Sequence, residues 1–112
     1  MSFKRSIFST IVDSSTVTAD ESSAAIDMEH LDTWSAQIIW TSTTASATVK
    51  IEESNDNSTW STISGKTQAI SNDSSNVMLS GVSFGGKYIR ATVDYSSGTI
   101  TTIKIHFVAK SS

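Results

Sequence analysis

Two histidines are the first place to look for chemistry, and neither stands in a working pattern. His30 lies in the run DMEHLD beside Asp27, Glu29 and Asp32. Several carboxylate oxygens close together suit a hard cation, but the spacing is not that of a calcium loop, and a solvated polar loop accounts for the same residues. His106 alternates with apolar residues in IKIHFVAK and is expected to face solvent or an interface. Glu52 and Glu53 are neighbours in a segment that reads as a strand, so they leave on opposite faces and cannot serve one substrate as acid and base. Serines abound, yet none sits in a G-x-S-x-G elbow and no histidine is spaced to act as its base. The stretch FGGKY has a glycine pair and a lysine, without the following helix that a phosphate loop requires. The chain has no cysteine, which removes a thiolate zinc site, a disulfide framework and a cysteine nucleophile together. An enzyme, a bound metal and a cofactor are therefore not expected.

Aromatic side chains offer another route to function. Trp34, Trp40, Trp60, Phe84, Tyr88, Tyr95 and Phe107 could pack their ring faces on a sugar. Trp34 and Trp40, however, share the phase of Ala36 and Ile38, and burying them contributes more to a small core than displaying them. Tyr88 and Tyr95 are the better candidates for a ligand-facing surface. Trp60 follows the polar run SNDNST, which reads as a turn closed by Asn and Asp in place of proline; the ring is expected to re-enter and cover the open end of the core beside Ile63. Glycosylation sequons at Asn57 and Asn72 carry little weight where Ser and Thr make up roughly a third of the chain.

The elements that must position these residues follow period two. In WSAQIIWT, residues Trp34, Ala36, Ile38 and Trp40 share one face; in TVKIEE, Val49 and Ile51 do. In KYIRATVDY the inward set is Ile89, Ala91 and Val93, and in ITTIKIHFVAK it is Ile103, Ile105 and Phe107. Further strands are expected at 6–12, 24–28, 68–70 and 76–79, with turns at SNDNS, SNDSS, SGVSFGG and SSGT. DYSSGTI reads as a hairpin whose Gly98 takes the left-handed position. DMEHLDTW is too short for a stable helix and is expected as a loop or a single turn. The whole predicts an all-β chain, a single antiparallel β-sandwich or jelly roll of about eight strands spanning residues 1–112.

Residues 1–12 are expected to be an N-terminal arm or an edge strand. Phe3, Ile7, Phe8, Ile11 and Val12 fall on both faces of an alternating segment, which suits an interface with a second subunit better than a solvent-facing edge. Phe3, Ile7, Phe8 and Ile11 are the interface candidates. The same opening is basic with a short apolar run, but Ser9 and Thr10 interrupt it and no small-residue cleavage site follows, which argues against a signal peptide. No run approaches the roughly 20 apolar residues of a membrane span. A net charge of −3 argues against a nucleic-acid partner, which would call for a positive field.

WSAQIIWT, then TVKIEESNDNSTW, then GKYIRATVDYSSGTITTIKIHFVAK resembles small β-sandwich proteins, often jelly-roll-like, encoded among the virion genes of tailed bacteriophages. Their pattern is a strand with W-T, a strand ending S-N-D-G-x-x-W, and K-Y-[IV]-R followed by S-G-T. The resemblance runs from Trp34 to Lys110 and departs at Asn57, where the pattern has Gly; Asn is the next-best left-handed residue, so the turn is kept. It implies a virion structural protein, head-decoration or tail-associated, whose partners are itself, as a homo-oligomer, and other virion proteins. Similar sandwiches also serve as sugar-binding and adhesion modules, so the alternative is a carbohydrate-binding module for a host glycan.

Overall fold

The computed structural model describes residues 6–29, 31–42, 44–71, 73–81 and 85–110, with side chains from Ser15 onward except that of Ser42. Among these the chain forms nine β-strands and no helix: β1 (Ser6–Val17), β2 (Glu21–Ser22), β3 (Ile26–Asp27), β4 (Thr33–Ser42), β5 (Ser46–Ser54), β6 (Ser61–Ile70), β7 (Ser74–Gly81), β8 (Tyr88–Ser97) and β9 (Ile100–Lys110). They make two antiparallel sheets, one ordered β1-β9-β4-β7 and the other β2-β8-β5-β6, with β3 also on β8. The chain is a β-sandwich.

The small strands β2 and β3 are one interrupted strand. Glu21 and Ser22 pair with Val93 and Thr92, and Ile26 and Asp27 pair with Ile89 and Tyr88. Four steps on one side thus match three on the other, a one-residue bulge. Ser23 stitches it: its N–H donates to the Ala91 carbonyl, and its Oγ accepts from the Ala91 N–H, each at 2.9 Å. Counting β2 and β3 together leaves eight strands, four per sheet, in the two strand orders of a jelly roll.

The inward phases in the sequence are those of the structure. Ala36, Ile38, Val49, Ile51, Ile89, Ala91, Val93, Ile103, Ile105 and Phe107 are fully buried, and Trp34 and Trp40 nearly so. One hydrophobic cluster joins both sheets. Trp34 stacks on Phe107 with ring centroids 5.8 Å apart and planes 4° from parallel. The Trp40 indole N–H donates to Asp73 Oδ1 at 3.0 Å, so its one polar atom is satisfied at the sandwich margin.

Three expectations are corrected. The segment DYSSGTI is not a hairpin, because β8 and β9 belong to different sheets. Gly98 is left-handed at φ 77°, but it carries the chain from one sheet to the other, with Thr99 N–H bonded to Thr44 Oγ1. β6 is far longer than 68–70. It opens at Ser61, and four of its residues, Ile63 to Lys66, stand opposite Ile51 alone. That wide bulge, with Gly65 left-handed at φ 76°, destroys period two and hides the strand from pattern reading. Finally, Trp60 is not a plug in the core, as described next.

Candidate functional site

The β5–β6 loop is built on Ser54 and Asp56. Ser54 is buried; its Oγ accepts from the N–H groups of Asp56 and Asn57 and donates to Asp56 Oδ1 at 2.8 Å. Asp56 Oδ1 also accepts from Ser58 N–H at 2.9 Å and Thr59 N–H at 2.7 Å. Bonds from the Thr59 and Ser58 backbone, then from the Ser54 hydroxyl, lower the Asp56 carboxyl from 3.8 to about 2. Asn57 is left-handed at φ 58°, as the sequence led one to expect of a residue standing where glycine is usual. The loop is thus closed by its own side chains.

It delivers Trp60 to the outer face of the sheet that holds β8, β5 and β6. There the Arg90 guanidinium lies over the indole, 4.2 Å from the centroid, and Trp60 stays half-buried. Arg90 Nε donates to Glu52 Oε1 at 2.8 Å, and Thr92 Oγ1 donates to the same oxygen at 2.7 Å. Ser22 and Thr92 share a hydroxyl–hydroxyl bond of 3.2 Å. Beyond them Lys50 meets Asp94 at 2.9 Å; the bond to Asp94 and its negative charge raise the lysine above its ordinary value. Ring, guanidinium, carboxylate and hydroxyl therefore run as one ladder from the β5–β6 loop across β8, β5 and β2.

A cleft of about 490 Å³ opens beside this loop, lined by Glu53, Asn55, Asp56, Thr59, Ser61 and Gly86 among others. Its neighbour of about 460 Å³ adds Met28, Glu29, Leu31 and Lys87. Both are open and polar at the mouth. Among the described residues no three His, Asp or Glu side chains stand close enough to share a metal ion. What the arrangement can do is present a stiff, mixed-charge surface with one aromatic face.

The residues singled out from sequence are scattered. Tyr88 is on the outer face, with Lys87 Nζ 5.4 Å from its ring, and Tyr95 is opposite the buried Ala47 on the inner face, its hydroxyl donating to the Gly98 carbonyl at 2.6 Å. They stand seven positions apart along β8, about 23 Å at strand rise, so they cannot form one platform. Glu52 and Glu53 diverge as expected, one into the ladder and one into the cleft. Phe3, His30, Asn72 and Phe84 lie outside the described residues. Ile7, Phe8 and Ile11 are in β1, where their side chains fall outside the described set. The Arg90–Glu52–Thr92 ladder escaped the sequence reading. Its signal was present in the outward phases of KIE and YIRATVD, but it needed the register that sets Glu52 opposite Arg90.

No family model and no curated protein matches the chain. Solved structures do. The prophage-derived protein YomS of SPBc2 superposes with a TM-score of 0.67 at 11% identity, covering 99% of this chain and 97% of that one. Its fold is this fold. The PBSX exported protein XepA gives 0.69 at 14% identity over 92% of this chain, which spans only 36% of XepA. A subunit of the disulfide-linked pili that form Bacillus endospore appendages gives 0.61 at 11% identity, over 96% and 89% of the two chains. The architecture is thus shared with phage-derived and appendage proteins.

Proposed function

We propose that this chain is a structural protein of a phage particle, a head-decoration or tail-associated subunit that works by self-association and by docking on the particle, and that its place is the virion. It is not an enzyme in this reading. The observation that supports it most is the superposition of nearly the whole chain on nearly the whole of a prophage-derived protein. The W-T, S-N-D-x-x-x-W and K-Y-I-R motifs of the sequence point the same way. The outer-face ladder and its pre-closed loop suit a surface that must meet a lattice without rearranging. Fold alone does not fix function, so the particle is where the proposal is tested. Mass spectrometry of purified particles should find the chain at many copies. Its absence from intact particles would sink the proposal.

A further inference from the structure

The two sheets end in four outer strands, and three of them are guarded. A sheet edge offers unpaired N–H and C=O groups to any other strand, so proteins blunt edges with bulges and charges. β1 shifts register between Thr10 and Val12 and carries Asp13. β6 has the wide bulge with Lys66 in it. β2 and β3 are two residues each, interrupted by a bulge, with Glu21 and Asp27. β7 has neither device. Its eight residues, SSNVMLSG, pair with β4 from Trp34↔Gly81 to Thr41↔Ser74 without a shift, and none is charged.

The strand is open to solvent as well as regular. Ser74, Ser75, Asn76, Met78 and Ser80 are exposed, and Met78, at 57%, is the exposed large hydrophobic residue of the described chain. The neighbouring strand β4, TWSAQIIWTS, is also without charge, so a neutral strip two strands wide borders this edge. Asp73, which adjoins β7, is turned back onto the Trp40 indole.

We infer that β7 is the edge through which two copies of this chain join, antiparallel about a two-fold axis at Met78, into one continuous sheet. This deepens the self-association proposed above and rests on it. An antiparallel edge is complementary to itself under such an axis, since each copy offers the donors and acceptors the other lacks. Charge admits a second copy as the occupant. Two chains, each of net charge −3, meet at β7 with no like charges opposed. Phase agrees too. An axis at Met78 sets Val77 opposite the partner's Leu79 and Asn76 opposite the partner's Ser80, so inward residues face inward ones. It also brings the two exposed thioethers together.

The test uses the purified full chain. Light scattering across a dilution series should show twice the 12.0 kDa chain mass at the concentrated end. Met78→Lys and Asn76→Lys, both at exposed positions, should return the monomer mass with an unchanged circular dichroism spectrum. In this cysteine-free chain, Met78→Cys should form a disulfide-linked dimer on mild oxidation. Thr102→Cys, exposed on the middle strand β9, should not. A wild-type monomer at every concentration, a dimer that survives both lysines, or equal cross-linking of the two cysteines would overturn the inference. A β7 dimer absent from particles would keep this interface and remove the virion role. A monomer found in particles would do the reverse.

Discussion

Gly98 and Gly65 allow a backbone argument to be separated from a packing one. Both are left-handed, at φ 77° and 76°, so an alanine at either meets the same conformational cost of about 1–2 kcal/mol. Their surroundings differ. A Cβ built on Gly65 has nothing within 4 Å, whereas one on Gly98 collides with the Thr44 carbonyl and comes within 2.9 Å of the Ala45 Cα. These are backbone atoms of the crossing between β4 and β5, so no side chain can swing away. Gly65→Ala should therefore cost about 1 kcal/mol, and Gly98→Ala roughly 3 kcal/mol or more once displaced backbone is added to the dihedral cost. Urea denaturation with a shared m-value reads both directly. Equal losses in the two variants would refute the close approach of Gly98 to the Thr44 turn, and with it the way the β8–β9 link passes between the sheets.

Four other outcomes follow from the same geometry. Trp60→Ala should cost about 1–2 kcal/mol, against about 3–5 for the core residue Trp34, because the Trp60 ring is half-exposed under Arg90; equal costs by urea melts would return Trp60 to the core. Asn57→Gly should be neutral or slightly stabilising and Asn57→Val should lose about 1 kcal/mol or more, since φ is 58° there; identical melting temperatures would exclude that backbone. Asp56 has a folded value of about 2, below 3.8, so its contribution is present above pH 3.8 and is lost as pH falls toward 2; Asp56→Asn should flatten stability across that window, and an unchanged acid limb would count against the loop bonds. Deleting residues 1–12 strips β9 of its β1 partners from Ile105 to Lys110 and should lower the melting temperature by roughly 10 °C or more at about 4–8 °C per kcal/mol, whereas an unchanged value would make the segment a free arm.

The strands that could be read were those in which each residue has one neighbour on each side. β4, β5, β8 and β9 are inner strands of their sheets, so their inward faces are covered along their length and the burial pattern stays strict. Edge strands lack that constraint. Period two fails in β6 where four residues oppose one, and in β2 and β3 where Ser23 bridges a bulge. Sheet membership was hidden for a different reason. A left-handed Gly98 serves a hairpin and a crossing between sheets equally well, and only the pairing of β9 with β1 and β4 separates the two. The candidate site was half legible. Charges in the outward phase announced a polar face, but the ladder depends on cross-strand register, and Trp60 followed its loop onto that face instead of the core.

The N-terminal segment shows how one inserted residue changes an inference about partners. Read with strict alternation, its apolar residues fall on both faces, which is what called for a second subunit. In the structure Ile7 is in register with Ala109, and Val12, five positions later, is in register with Ile105, four positions earlier. The extra residue lies between Thr10 and Val12 and reverses the phase, so Ile7 and Val12 both occupy register positions opposite buried residues of β9. Ile11 is left without a register partner, and Phe8 stands opposite the half-buried Val108. Two-sidedness is thus partly a product of the bulge, and the case for a subunit contact at β1 weakens by that amount. The bulge is itself one of the devices that keep an edge from pairing, and Asp13, in register with Lys104, is another. The edge proposed above lies elsewhere, at β7, which the sequence marked only as a short strand at 76–79.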